Sequence, residues 1–358
     1  MLDTHAADRN ITRMSRFIES VFEKLKRHPK RIVFPEGTEP GVLRAAREFS
    51  RLKLGTPILL GKRAAVEAAA KAQGVDLDHI GIVDPETSSE LEQFIPRLEK
   101  LKRYRDLGPA QAREILSKPS YFASMMVQHN LVDGLVVGAG LTPASTLRPL
   151  IQLIKPLTGE TMISSCQMLD LSNKRYGERG VILFADCAVI PDPTVEQLAR
   201  IGIQTGNVCR QLTGNKPRVA FLSFSNKGGS QLPSVQKVAA AAALAKKMAL
   251  DDGLEMEIDG EMQADTALVP DLATLKATDS LVAGKANVLV FPDLNSANIA
   301  SKLVKYLAGA EAYGQILLGL SKPCADLSRG ATDDEILGVA ATIGLQAIRY
   351  RELYPEQA

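Results

Sequence analysis

Residues 218–248 read RVAFLSF, then SNKGGSQLPS, then VQKVAAAAALAKKM. The first segment is almost continuously apolar, as expected of a strand that is covered on both faces of a parallel sheet. The second carries the glycines and polar residues of a connection. In the third, apolar residues recur every three or four positions, which predicts a helix over Val235–Met248. A strand that leads directly into a helix is the repeating unit of an α/β fold.

The same pattern extends along the chain in both directions. Helical spacing also occurs over Gly41–Leu52, and strands that alternate with helices indicate mainly parallel sheets between helical layers. The predicted strands are Arg31–Phe34, Pro57–Leu60, Ile80–Val83, Leu135–Val137, Val181–Ala185, Val219–Phe224, Met256–Ile258 and Val288–Phe291.

A chain of 358 residues exceeds the usual size of a single core, so we predict two αβα domains. Proline and glycine interrupt a helix-like segment near Ile154–Thr161, where we predict that the chain crosses into a second domain. We predict that it crosses back near Leu318–Pro323. The first domain is therefore predicted to comprise residues 1–155 and 320–358, and the second residues 156–319. Open α/β sheets bind ligands at the carboxyl ends of their strands, so we expect the site in a cleft between the domains.

Composition excludes several classes of function. The formal net charge of +2 is too small for a nucleic-acid-binding surface and favours small anionic substrates held by a few placed cations. The four cysteines and four histidines are dispersed, which argues against a metal site and for free thiols in a reducing cytoplasm. No apolar run is long enough to cross a membrane. Residues 1–13 are polar and unpatterned and are predicted to be a poorly ordered leader before a first helix from Met14.

Two nucleotide-binding motifs fail at defined positions. Gly138-Ala139-Gly140 follows a predicted strand, but Pro143 stands where a dinucleotide fingerprint needs its third glycine. Gly61-Lys62 lacks the spacing and the hydroxyl of a phosphate-binding P-loop. Neither nicotinamide chemistry nor P-loop chemistry is therefore predicted.

Residues 225–230 form the polar loop after the strand at 218–224. Its glycines would let backbone amides approach an anion, and Lys227 would add a charge next to Ser225. The same composition also fits a plain polar loop that enters the next helix. Contact with phosphate or coenzyme A (CoA) and a purely structural loop stay open at this point.

Residues 326–335, with the sequence DLSRGATDDE, are the richest in chemical groups. Arg329 offers a planar fork that suits phosphate, and Ser328 can donate a hydrogen bond to a developing oxyanion. Thr332 and Glu335 have the spacing of a capping box at a helix start, so Glu335 also has a structural interpretation. That interpretation does not account for Ser328 and Arg329.

Taken together, these stretches resemble the phosphate acetyltransferase (phosphotransacetylase) branch of the phosphate acetyl/butyryltransferase family. The resemblance runs from about Arg31 to the C-terminus. The residues that carry it are Phe34-Pro35-Glu36-Gly37, Asp133-Gly134 with Gly138-Ala139, Thr146-Leu147-Arg148-Pro149, residues 184–189, Pro191, Pro193-Thr194, Asp259-Gly260-Glu261, residues 284–288, residues 291–295 and Asp326-Leu327-Ser328-Arg329-Gly330.

The resemblance implies a fold, a reaction and roles. The fold would be like that of isocitrate/isopropylmalate dehydrogenases, with the site between two αβα domains of a homodimer. The family interconverts acetyl-CoA plus phosphate with acetyl phosphate plus CoA, with CoA as a substrate and no cofactor. Ser328 would stabilise the transition state, while Arg329 and Arg148 would neutralise the phosphate. Thiolate attack in a ternary complex would need no acyl-cysteine, so Cys324 is predicted to be a buried thiol.

Three departures from the family pattern bear on the site. Glu335 stands where the family usually has an aspartate as general base. The loop Gly140-Leu141-Thr142-Pro143 replaces Val-His-Ser-Thr, and Thr142 would help hold the acyl phosphate. Lys102, with Arg103 beside it, replaces an arginine that helps bind CoA, and lysine is a poorer bidentate partner. A propionyl or butyryl substrate and a non-catalytic acyl-CoA-sensing domain remain alternatives.

Overall fold

The computed structural model describes residues 15–353, apart from the side chains of residues 102, 143 and 349–353. The predicted leader over residues 1–13 and the predicted helix start at Met14 lie outside the described residues. Within them, Ser15 is the N-cap of the first helix, and its side chain accepts a hydrogen bond from the Ile18 amide. The chain therefore enters the fold through a capped helix.

The centre of the molecule is one eleven-stranded sheet in the part of the chain that is described, with the order β3-β2-β1-β4-β11-β10-β5-β6-β9-β7-β8. Its strands are β1 Lys30–Phe34, β2 Gly55–Leu60, β3 Gly81–Val83, β4 Gly134–Val137, β5 Ser164–Asp170, β6 Val181–Ala185, β7 Arg218–Leu222, β8 Glu257–Met262, β9 Val288–Val290, β10 Glu311–Leu318 and β11 Cys324–Asp326.

Helices cover this sheet and begin where the local sequence favours a start. Proline occupies the first turn of several of them, where its missing N–H is not needed. The helices are α1 Arg16–Arg27, α2 Pro40–Arg51, α3 Arg63–Ala72, α4 Ser89–Glu99, α5 Pro109–Leu116, α6 Pro119–Gln128, α7 Pro143–Leu153, α8 Val195–Thr213, α9 Pro233–Asp251, α10 Ala264–Leu268, α11 Pro270–Lys276, α12 Leu294–Leu307 and α13 Asp333–Leu353.

The predicted strands and the predicted helices are both found in the structure. Each of the eight predicted strands overlaps an observed one, and the predicted helices over 41–52 and 235–248 correspond to α2 and α9. The sequence analysis missed β5, β10 and β11, which lie side by side with β4 and β6 in the middle of the sheet. The α/β class and the mainly parallel sheet are confirmed.

The sheet consists of two parallel blocks joined by an antiparallel centre. Strands β3, β2, β1, β4 and β11 run parallel to one another, as do β6, β9, β7 and β8. Between the blocks, β10 pairs antiparallel with both β11 and β5, and β5 pairs antiparallel with β6. The two halves therefore share one continuous sheet.

The two predicted chain crossings lie next to each other. The Leu157 amide donates to the Gly319 carbonyl at 2.8 Å, and the Ser321 amide donates to the Lys155 carbonyl at 2.8 Å. After the second crossing, α13 returns to pack on α1 and α2 of the N-terminal block. The residue boundaries of the two domains stay a prediction. No helix between residues 15 and 353 is long and apolar enough to span a bilayer.

Candidate active site

A cavity of about 810 Å³ lies over the antiparallel centre of the sheet. The segment that leaves β11 forms one wall and α12 forms another, while β5 and β10 contribute the floor. Loop residues after β6 and Leu141 from the loop after β4 complete it. The lining residues are Leu141, Gln167, Cys187, Ala188, Leu294, Asn295, Asn298, Ile299, Ser301, Lys302, Lys305, Tyr306, Gln315, Asp326, Leu327, Ser328 and Arg329.

Ser328 and Arg329 lie on the wall of this cavity and are exposed. The buried strand β11 ends at Asp326, and Gly330 then takes a positive φ of 78° that turns the chain toward α13. Within the described part of the chain, neither side chain has a hydrogen-bond or ion-pair partner. A hydroxyl and a guanidinium are thus free to bind a ligand side by side.

Glu335 forms the capping box that its spacing predicts. Its Oε2 accepts a hydrogen bond from the Thr332 amide at 3.0 Å, and its own amide donates to Thr332 Oγ1 at 3.2 Å. Its Oε1 lies 2.5 Å from Lys305 Nζ, and both side chains are largely buried. Lys305 lines the cavity, so the ion pair joins α12 to the start of α13 at the edge of the site.

Asp326 is a buried carboxyl at the end of β11, where the floor of the cavity meets this wall. Burial is the main cause that raises its pKa to about 6; Glu36 raises it further, and a hydrogen bond from Thr146 acts in the opposite direction. Its Oδ1 has no hydrogen-bond partner in the described region. This oxygen packs against Gly138, where an added Cβ would lie 2.5 Å from it. Glycine is therefore required at this point.

Glu36 fixes the loop that carries Leu141 into the cavity. Its Oε2 accepts hydrogen bonds from the amides of Gly138 and Ala139 at 2.6 and 2.9 Å. Its Oε1 accepts from the amides of Gly140 and Leu141 at 2.6 and 3.0 Å. Four amides that converge on one carboxylate hold this loop, because hydrogen bonds to a charged acceptor are stronger than neutral ones.

Arg148 lines a second cavity of about 600 Å³, together with Lys118, Tyr121 and Glu36. Leu141 lines both cavities, so the two adjoin at that residue. The structure therefore does not place Arg148 on the same wall as Arg329. A ligand in contact with both arginines would have to pass Leu141.

Two further residues predicted near the substrate, Thr142 and Arg103, contact or neighbour residues close to this second cavity. Thr142 is the N-cap residue of α7, and its Oγ1 lies 2.9 Å from Ser145 Oγ. Arg103 and Arg148 both act on Tyr104, whose pKa is raised to about 12 mainly by burial and is lowered by these two charges. Arg103 and Arg148 thus both lie near Tyr104. The side chain of Lys102 lies outside the described residues.

Ser225 and Lys227 lie apart from both cavities, on the loop after β7 near the far edge of the sheet. The Ser225 hydroxyl donates to Glu261 at 3.4 Å, and the Gly228 amide donates to the same carboxylate at 2.7 Å. Lys227 forms an ion pair with Asp259. Carboxylates of β8 therefore occupy the groups that were considered for phosphate or CoA, and the structural interpretation of this loop accounts for its contacts.

Sequence reasoning missed a polar face of α12. Asn295, Asn298, Lys302 and Lys305 follow one another at intervals of three or four residues and all line the larger cavity. Lys302 is exposed and has no ion-pair partner in the described portion of the chain. The helical spacing of these polar residues is visible in the sequence. Only the structure shows that they face the wall that carries Ser328 and Arg329.

All four cysteines are free thiols, and each of them is buried. Cys324 is fully buried on β11, and burial raises its pKa, as expected for a packed thiol rather than a nucleophile. Cys187 lines the cavity but is also buried, and burial raises its pKa. Residues 15–353 contain no group of three or more His, Cys, Asp or Glu side chains arranged to hold a metal ion.

Comparisons with known proteins give the same family along most of the chain. The family model described as phosphate acetyl/butaryl transferase matches residues 16–343. A phosphate acetyltransferase of Thermoanaerobacterium thermosaccharolyticum is 42% identical over 92% of this chain and 99% of its own. The EutD phosphotransacetylase of Staphylococcus aureus has a TM-score of 0.84 at 33% identity, covering 92% of this chain and 98% of its own.

A phosphotransacetylase of Streptococcus pyogenes is also similar, with a TM-score of 0.83 at 36% identity over 94% of this chain and all of its own. Both structural relatives therefore share the fold over more than nine-tenths of this chain. With the family model covering residues 16–343, the chain belongs to the phosphate acetyl/butyryl transferase family.

Proposed function

We propose that this chain is a phosphate acetyltransferase that transfers an acetyl group between CoA and inorganic phosphate. The observation that carries the proposal is the pair Ser328 and Arg329. Their side chains have no protein partners within residues 15–353, and both line a cavity large enough for part of a CoA molecule. Lys302 adds a second free cation to that cavity. Such groups suit a reaction in which an oxyanion and a phosphate must both be stabilised.

Starting from acetyl phosphate, Glu335 accepts the proton of the CoA thiol, whose ordinary pKa is about 8.5 by analogy with cysteine. The thiolate attacks the carbonyl carbon, and Ser328 donates a hydrogen bond to the oxyanion that develops. The bond between the carbonyl carbon and the phosphate oxygen then breaks, and the proton leaves through Glu335. Arg329 binds the departing phosphate. The reaction uses CoA as a substrate and needs no cofactor.

Arg148 is assigned to an anionic group of a substrate that spans both cavities past Leu141. Arg103, which like Arg148 lies near Tyr104, would support the same contact. Lys102 and Thr142 stay predictions for CoA and acyl phosphate, respectively. We also propose a homodimer in the cytoplasm, on the basis of family resemblance; light scattering of the purified protein tests the oligomeric state.

Acetyl is favoured over longer acyl groups because the similar proteins at 38–42% identity are named phosphate acetyltransferases. Turnover with acetyl-, propionyl- and butyryl-CoA tests this choice. A non-catalytic acyl-CoA-sensing domain is the second candidate, and it predicts CoA binding without any turnover.

The first experiment measures thiol release from acetyl-CoA after phosphate is added. We expect phosphate-dependent release by the wild type and a large loss in Ser328→Ala. Ser230→Ala, a serine on the loop after β7, is the matched control and should retain full activity. Absence of release from all three acyl-CoA substrates, with CoA binding intact, would contradict the enzyme assignment.

A further inference from the structure

Three polar side chains form a row across the floor of the larger cavity. Strands β10 and β11 pair through Ile316 and Ala325, so the next pair along this antiparallel register is Gln315 opposite Asp326. On the other side, β10 pairs with β5 through Ile316 and Cys166, and a register shift between Tyr313 and Ile316 leaves Gly314 and Gln315 beside Gln167. All three side chains line the cavity.

Gln315 is at the centre of this row and is only 6% exposed. Its Oε1 is fully buried and has no hydrogen-bond partner within the described residues. Its amide nitrogen has none there either. A buried side-chain amide normally finds partners for both ends, because leaving them unpaired lowers stability. The Gln315 amide nitrogen is therefore available to donate a hydrogen bond to a ligand that reaches the cavity floor.

The position of Gln315 indicates the kind of ligand group. Arg329, Lys302 and Lys305 line the same cavity and are suited to phosphate and other anions. Gln315 is uncharged and lies on the strand floor between the wall of Ser328 and Arg329 and the wall formed by α12. A neutral, buried donor is suited to a neutral carbonyl oxygen that gains negative charge during a reaction, as in the oxyanion sites of acyl transfer.

We propose that Gln315 is a further catalytic residue, whose side-chain amide donates a hydrogen bond to the acyl carbonyl oxygen of the substrate. The inference rests on the proposed function, since it assigns the acyl subsite of the same cavity. Ser328 and Gln315 then approach that oxygen from the wall and from the floor. The bond strengthens as the carbonyl becomes an oxyanion, so Gln315 acts on the chemical step more than on binding.

Gln346 on α13 provides a matched control. It is 7% exposed, and its Oε1 likewise has no partner in the region that is described. It lines a separate cavity of only about 50 Å³, which is too small for a substrate. Replacing either glutamine by methionine keeps the approximate size of the side chain and removes both hydrogen-bonding groups.

The test compares Gln315→Met, Gln346→Met and the wild type by steady-state kinetics and thermal unfolding. We expect Gln315→Met to lower kcat at least about 100-fold in the thiol-release assay, with the KM values for acetyl-CoA and phosphate changed less than about threefold. Its Tm should stay level or rise, because an unpaired buried amide is lost. Gln346→Met should show the same trend in Tm with wild-type kcat.

Two results would overturn the assignment. A Gln315→Met variant with near-native kcat would show that the carbonyl does not depend on this amide. A loss of activity that accompanies a fall in Tm of several degrees would identify Gln315 as a packing residue. A wild type that releases no thiol with any acyl-CoA would reject the proposed function itself. An active wild type with an equally active Gln315→Met variant would reject only the role of Gln315.

Discussion

Replacing Asp326 by asparagine removes a charge from a site that disfavours it. The side chain is 7% exposed and one of its oxygens has no partner among residues 15–353. Burial is the main cause that raises its pKa from 3.8 to about 6, with Glu36 adding to the effect and Thr146 opposing it. The asparagine side chain has nearly the same shape and can still accept the hydrogen bond from Thr146.

The sign and size of the effect follow from this difference in pKa. The folded protein keeps a proton that the unfolded chain releases between about pH 4 and pH 6, so Asp326 lowers the free energy of unfolding as pH rises through that window. A shift from 3.8 to about 6 corresponds to about 3 kcal/mol above pH 7. Between pH 5 and pH 8, the stability advantage of Asp326→Asn should therefore grow by about 1.4 kcal/mol.

Denaturant unfolding of both proteins at pH 5, 6, 7 and 8 measures this growth. Asp251→Asn, at an exposed position on α9, controls for effects common to any such substitution. An advantage of Asp326→Asn that is constant with pH would refute the reasoning, because desolvation of a charge must appear as a titration. An advantage that shrinks toward pH 8 would show that the folded protein stabilises the ionised carboxylate.

Arg329→Ala should lower kcat/KM about 100- to 1,000-fold, because a cation is lost at the developing negative charge. Arg63→Ala, at a surface ion-pair residue, is the control and should leave kcat/KM unchanged. Near-native turnover in Arg329→Ala would remove Arg329 from the site. Glu335→Gln should lower kcat with only a modest fall in Tm, since glutamine still completes the capping box and only the charge opposite Lys305 is lost. Turnover that stays intact would leave only the structural role. Glu36→Gln should lower the free energy of unfolding by about 3 kcal/mol, because a single amide oxygen cannot accept hydrogen bonds from all four backbone amides. A loss below about 1 kcal/mol in denaturant unfolding would contradict this prediction.

The sequence predicted the outer strands well and missed the central ones for a physical reason. The blocks that flank the centre are buried on both faces and read as apolar runs. By contrast, β5, β10 and β11 carry Gln167, Gln315 and Asp326 on the face that forms the cavity floor. Polar residues that serve a site interrupt the pattern by which a strand is recognised, so strand detection failed where the site begins.

The two polar loops of the sequence analysis show a second limit. Residues 225–230 have the composition of an anion-binding loop, yet Glu261 and Asp259 occupy its amide and its lysine. The amides of residues 138–141 likewise close around Glu36 rather than around a ligand. Composition identifies groups that can bind an anion, whereas only the fold determines whether a carboxylate of the protein already fills that role.

The contacts that Glu335 makes as a helix cap leave its carboxylate able to take the proposed role of general base. Oε2 holds the Thr332 amide and Oε1 holds Lys305, and each oxygen has a second lone pair for a further donor. A glutamate at this position of a capping box is long enough to reach back to the N-cap amide. The length of the side chain allows both contacts, and Lys305 holds the carboxylate at the edge of the cavity. If Glu335 is the base, these contacts orient it before the thiol arrives.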